Sequence, residues 1–149
     1  MTTTNTPAAV APAKAGDLSP HFSRREFACP CCSHALVTPR LVDALELLRT
    51  KAGGRAIHIT SGYRCARYNR RVGGRPRSQH IEGAAADIRI NGLSVEEMYR
   101  LARQIPAFRD GGIGVYPQES FIHVDVRRAP ARWARVNGEY TALSKVYAA

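Results

Sequence analysis

The sequence predicts a single α+β domain, a small antiparallel sheet packed with two or three helices. Three observations lead there. The chain has 149 residues, enough for one hydrophobic core. Two segments carry apolar residues at helical spacing behind recognisable caps, at Thr38 and Ser94. Several short segments instead alternate, or run apolar for a few residues, and end at turn signals. No internal repeat is present.

The elements follow in order. Residues 1–16 are rich in Thr, Ala and Pro with almost no bulky apolar side chain, so they read as a flexible leader. Order begins near Leu18. Ser23 followed by Glu26 fits a capping box for a short helical turn, anchored by Phe22 and Phe27. Cys29-Pro30-Cys31-Cys32 is too compact for a regular element. Thr38-Pro39 starts a helix with Leu41, Val42, Leu45 and Leu48 on its apolar face, and Gly53-Gly54 stops it. Ala56 to Thr60 alternates as a strand that ends at Ser61-Gly62.

Tyr63 to Gln79 reads as loop or brief helix and carries Arg64, Arg67, Arg70, Arg71, Arg75 and Arg77. Asp87 to Ile90 is a second strand, closed by Asn91-Gly92. Ser94 with Glu97 caps a second helix, whose apolar side holds Val95, Met98, Leu101, Ala102 and Ile105 and which Pro106 ends. Gly111 to Tyr116 and Phe121 to Val126 read as two strands joined by a turn at Pro117. Beyond Trp133 the pattern fades. The folded domain therefore spans residues 17–136, with a loose tail over 137–149.

Composition narrows the function classes. The chain is 44% hydrophobic and 23% charged, which is globular usage rather than that of a disordered chain. No apolar run approaches the ~20 residues of a membrane-spanning helix. The N-terminus lacks the basic start and leucine-rich stretch of a secretory signal, so none is expected. The formal charge is +10, carried by three Lys and nineteen Arg against 12 acidic residues. Such a surface favours polyanions: nucleic acid, anionic lipid or bacterial wall polymers. No helix-turn-helix, zinc finger or aromatic RNA platform is readable, so nucleic acid is not the expected partner. Cys29, Cys31 and Cys32 with His34 are a conceivable metal set, but they lack the paired Cys-x-x-Cys spacing. They read instead as free thiols, or as a disulfide from one of them to Cys65 in an oxidising compartment. None reads as a nucleophile.

The sharpest chemical signal is a set of His and Asp residues on short rigid elements. His80 sits in a loop and Asp87 at a strand start, with Gly83 and three alanines between them. Phe121 to Val126 alternates strictly, so Ile122, Val124 and Val126 face a core. His123 and Asp125 then share the other face, about 7 Å apart along the strand. Two His and one Asp match a catalytic zinc site with an open fourth position. The chemistry also asks for a carboxylate to accept the proton of the attacking water. Spacing leaves open whether Asp87 or Asp125 is the ligand.

The run Ile59-Thr60-Ser61-Gly62-Tyr63-Arg64, then Asn69, Gly73-Gly74, Ser78-Gln79-His80, Gly83, Ala85 and Asp87, resembles the M15 metallopeptidases. Gly111 to Pro117 and Phe121 to Arg127 continue the resemblance, which covers roughly residues 18–136. It is nearest to the zinc D-Ala-D-Ala carboxypeptidases and murein endopeptidases, including those of phage and prophage. The resemblance implies zinc on His80, Asp87 and His123, with Arg64 holding a carbonyl or carboxylate of the substrate. It implies hydrolysis of peptidoglycan stem peptides or cross-links by a metal-activated water. Many members carry a catalytic Glu three residues before the last zinc His. Here that position is Ser120, with Glu119 one residue further away. Asp125 resembles the acid of a His-x-Asp branch and is expected to be the general base, with Glu119 the fallback.

Tyr63 and Tyr116 either line the cleft or pack; His58 makes a structural hydrogen bond, and Trp133 seals the domain edge. The expected partners of this monomer are peptidoglycan peptides and anionic wall polymers. It would act on the cell wall or in the periplasm, after phage-type release. The alternative is a non-catalytic wall-binding or phage structural module of the same fold. The intact His80, Asp87 and His123 argue against that alternative.

Overall fold

The computed structural model describes residues 16–147. The leader expected over residues 1–16 lies, apart from Gly16, outside the described residues. Helices α1 (Pro39–Lys51), α2 (Ala66–Arg71), α3 (Val95–Ala102) and α4 (Pro106–Arg109) are joined to six strands. These are β1 (Ile57–Ser61), β2 (Ala85–Ile90), β3 (Gly112–Tyr116), β4 (Phe121–Asp125), β5 (Ala131–Val136) and β6 (Glu139–Thr141). They form one sheet in the order β1-β2-β4-β3-β5-β6. The expected α+β class is observed, with more helix than anticipated and a mixed rather than wholly antiparallel sheet.

Local chemistry accounts for the helices. Thr38 Oγ1 accepts from Leu41 N at 3.3 Å and Pro39 fills the first turn, where its missing N–H costs nothing. At α3, Ser94 Oγ accepts from Glu97 N (3.1 Å) while the Glu97 carboxylate accepts from Ser94 N (2.8 Å). Pro106 does not end the second helix, as the sequence predicts. That helix stops at Ala102, and Pro106 opens the separate turn α4 at its first position.

One face of the sheet buries Ile88, Ile113, Val115, Ile122, Val124 and Ala134 in a continuous core with Leu41, Leu45, Leu48, Met98 and Phe108. Each of the Val, Leu, Ile, Met and Phe side chains among them, fully buried, contributes about 1.5–3 kcal/mol. The alternation read in β4 is therefore real, and it turns His123 and Asp125 to the opposite face.

Every neighbouring strand pair is antiparallel except β3 and β5. The exception follows from the short link after β4. Asp125 and Ala131 both pair with Gly112, on opposite sides of β3, so the chain crosses beneath the start of β3. The crossing passes tightly over Gly111. A Cβ there would run into the Asp125 carbonyl oxygen and come within 2.7 Å of the Ala107 carbonyl oxygen. The loose tail expected after residue 136 is corrected by this arrangement. Asn137 and Gly138, both with positive φ, turn β5 back into β6, and Leu143 is buried beyond it. Periodicity hid these strands because β5 is only partly buried and carries an arginine on each face, Arg132 beside Ala134 and Arg135 beside Trp133.

Candidate metal centre

The register of three strands builds the site from below. Asp87 on β2 pairs with His123 on β4, which pairs in turn with Gly114 on β3, which pairs with Trp133 on β5. Asp87, His123 and Trp133 thus share the sheet face opposite the buried core of Ile88, Ile122 and Val124. His80 reaches the same spot from the loop before β2. That loop is tied down by Arg64 N and Gly83 N, which both donate to the His80 carbonyl.

His80 Nε2 stands 3.3 Å from Asp87 Oδ1, and His123 Nδ1 stands 3.1 Å from the same oxygen. One ligand atom from each residue lies within 4.8 Å of the others, and all three residues are buried. Donor atoms on a tetrahedral zinc at ~2.0–2.1 Å lie ~3.3 Å apart, so the spacing fits that ion.

The back of each ring is anchored. His80 Nδ1 donates to the Gly62 carbonyl at 2.7 Å. Since a carbonyl only accepts, the proton sits on Nδ1 and the lone pair of Nε2 faces the centre. His123 Nε2 lies 2.7 Å from Asp125 Oδ2, which leaves Nδ1 for the centre in the same way. Two imidazole lone pairs and a carboxylate oxygen thus converge with no donor among them. That arrangement asks for a cation.

Burial pushes the Asp87 carboxyl up, but the closeness of His123 and His80 outweighs it and holds it well below the usual carboxylate range, so Asp87 brings an anion to the centre. For His123, burial favours the neutral ring while the Asp125 and Asp87 carboxylates raise its pKa on balance, so a cation at the centre would compete with a proton for Nδ1.

Asp125 stands behind His123, on the ring nitrogen that faces away from Asp87 and His80. Its Oδ2 accepts from His123 Nε2 and from Arg127 Nη2, each at 2.7 Å. Its Oδ1 accepts from Gly112 N (2.9 Å), Arg127 Nε (2.9 Å) and Arg127 N (3.1 Å). Burial raises its pKa, and these donors overcome that and keep it ionised. Glu119 is exposed in the β3–β4 turn, where its backbone carbonyl accepts from Arg89 Nη2 at 2.9 Å.

Arg64 does join the centre. Its Nη2 is 3.5 Å from Asp87 Oδ2, and its Nη1 donates to Asn69 Oδ1 at 3.2 Å. Asn69 is buried and fixed in turn by donating to the Arg75 carbonyl at 2.7 Å. Trp133 packs on the His123 ring at 4.9 Å between centroids and donates from Nε1 to Tyr116 Oη at 3.0 Å. Gly114 makes room for the indole, since a Cβ there would collide with Trp133. Tyr63 is half-buried, with its amide donating to the Phe27 carbonyl, and His58 is exposed on β1. No role for Arg127 is expected from the sequence alone. The signal was there: one further step of the β4 alternation puts it on the face of His123 and Asp125.

Two imidazoles, each braced from behind, and a carboxylate meet on the outer face of an α+β sheet, which is the donor set of a candidate metal-dependent hydrolase. The chain belongs to the Peptidase M15 family, whose profile matches residues 20–125 and so includes His80, Asp87, His123 and Asp125. It is 33% identical over 102 residues to the peptidoglycan L,D-endopeptidase MepK of Escherichia coli (strain K12), covering 64% of this chain and 53% of the relative. It is 37% identical over 94 residues to the probable peptidoglycan L,D-endopeptidase MepK of Haemophilus influenzae, covering 58% of this chain and 49% of the relative. The chain thus spans about half the length of the curated relatives it matches.

Proposed function

We propose that this chain is a zinc peptidase that hydrolyses peptide bonds in bacterial peptidoglycan, with His80, Asp87 and His123 as the metal ligands. The observation that carries the reading is the convergence of His80 Nε2, His123 Nδ1 and Asp87 Oδ1 with the outer ring nitrogens already committed. Zinc held there would supply Lewis acidity, polarising the scissile carbonyl and making a water nucleophilic near neutral pH. The L,D-endopeptidase activity for which both relatives are named favours an endopeptidase over a carboxypeptidase, and an L,D bond as its target.

Arg64 is the group that orients substrate. Its guanidinium is half-buried at the rim of the centre, aligned by Asn69, and offers donors to a carbonyl or carboxylate of the stem peptide. Asp125 is a positioning residue in this reading rather than the general base. Both of its oxygens are occupied, and the His123 ring separates it from Asp87. Trp133 and Tyr116 form one wall of the site and shield His123. Arg67, Arg70, Arg71, Arg75 and Arg77 are exposed on the segment that flanks His80, which suits association with anionic wall polymers. Among the described residues no helix is long and apolar enough to cross a membrane.

The test is digestion of purified peptidoglycan with and without a chelator, with the released fragments identified by mass. Chelator-sensitive cleavage at an L,D peptide bond is expected, lost in His123→Ala. Intact sacculi with zinc-loaded protein would overturn the peptidase reading in favour of a binding module.

A further inference from the structure

We propose that Cys29, Cys31, Cys32 and Cys65 form a second metal site, a structural tetrathiolate zinc centre separate from the His/Asp/His site. The four sulfurs all lie within 4.8 Å of one another. Three of the separations are 3.3 Å (Cys31 to Cys65), 3.7 Å (Cys29 to Cys65) and 3.8 Å (Cys29 to Cys31). Sulfurs on a tetrahedral zinc with ~2.3 Å bonds stand ~3.8 Å apart, so the cluster has the dimensions of such a site. A disulfide joins sulfurs at ~2.05 Å and uses them in pairs. Here all four thiols are free, and Cys29, Cys31 and Cys65 each contact the other two.

The local backbone is shaped for this convergence. Ser33 N donates to the Cys29 carbonyl (2.8 Å) and Cys29 N to the His34 carbonyl (2.7 Å), with Ser33 at φ 65°. That tight turn brings Cys29 and Cys32, three residues apart, onto one side. It also leaves His34 exposed, so the fourth ligand is the distant Cys65. Donors of the kind that stabilise thiolates surround the cluster: Tyr68 N points at Cys65 Sγ (3.4 Å) and Arg67 Nη2 at Cys31 Sγ (3.8 Å).

The placement gives the site a purpose. Cys65 closes the stretch in which Gly62 holds His80 Nδ1, Tyr63 N donates to the Phe27 carbonyl and Arg64 N donates to the His80 carbonyl. Zinc on the four sulfurs would fasten the Cys29–Cys32 turn to this stretch. It would thereby fix the carbonyl that sets the His80 tautomer.

Metal analysis of the full chain tests the proposal independently of activity. Two zinc ions per chain are expected in the wild type. One should remain in the His80→Ala/His123→Ala double variant, and one in Cys29→Ser. Cobalt substitution distinguishes the two sites. A strong thiolate-to-cobalt charge-transfer band should persist in the histidine double variant and vanish in Cys29→Ser. If Cys29→Ser does not fold, the double variant and thiol counting on the wild type still decide. All four thiols should become reactive only after chelation. Undiminished zinc in Cys29→Ser, no thiolate band in the histidine variant, or an intact mass reduced by the hydrogens lost to a disulfide would overturn it. A single zinc per chain in the wild type, undiminished in the histidine double variant, would overturn the proposed catalytic centre and leave this one standing.

Discussion

At Asp125 one side chain carries two readings that a single substitution separates. As a positioning group it holds His123 Nε2–H and, being itself fixed by Gly112 N and Arg127, keeps the ring turned toward Asp87. Carboxylates behind metal-bound imidazoles typically contribute 10–100-fold to metal affinity or activity, so Asp125→Asn is expected to weaken zinc binding by ~10–100-fold. Competition against a chromophoric chelator measures this. A zinc affinity left at the wild-type value, with turnover collapsed, would return Asp125 to the role of base. Gly114 makes a second residue-scale case. Gly114→Ala drives a Cβ into the Trp133 indole, which packs on His123 and is held by Tyr116. Overpacking of this kind costs about 1–3 kcal/mol, readable as a lower urea midpoint with an unchanged slope.

Among the elements, the entry segment is fastened to α1 by one carboxylate. Glu46 Oε2 accepts from Ser19 Oγ (2.5 Å) and His21 N (2.9 Å), while Oε1 meets His21 Nδ1 at 2.8 Å. Burial raises the Glu46 pKa, but these donors outweigh it and the net shift is downward. A depressed carboxylate contributes stability that is present above its unfolded pKa and lost as pH falls through the folded one. Below the ordinary glutamate range the wild type should therefore lose this contribution, whereas Glu46→Gln lacks it at neutral pH. The variant is expected to be less stable by about 1 kcal/mol at pH 7, with the gap closing in acid; thermal melts across pH check it. The elements also show what the sequence made legible. α1, α3 and β4 were readable because caps and periodicity agree with burial. β5 and β6 were not, because a half-buried strand that mixes arginines with Trp133 carries no clean alternation. His80, Asp87 and His123 stood out as residues. Which ring nitrogen of His123 faces the centre depends on the pairing of β4 with β2 and β3, and local sequence does not encode that.

Across the whole molecule, the charge and the chemistry occupy different dielectric settings. The formal charge of +10 is borne largely by arginines such as Arg67, Arg70, Arg71, Arg75 and Arg77, which are exposed. Asp87, His80 and His123 are buried, and ion pairs at such depth are screened far less than those at the surface. Raising ionic strength from about 0.1 M to 1 M shortens the screening length from ~10 Å to ~3 Å. The long-range attraction of the arginine face for an anionic wall should then be largely lost, while the centre keeps its geometry. Co-sedimentation with teichoic-acid-bearing or otherwise anionic sacculi is accordingly expected to fall steeply with salt. The kcat on a small neutral stem-peptide analogue should stay nearly constant over the same range. Reversing charge at two sites remote from the ligands, Arg70→Glu with Arg71→Glu, should reproduce the binding loss at low salt and leave that kcat unaltered. A parallel fall of kcat on the neutral peptide would instead place the arginine face within the reacting complex and remove the division of labour argued here.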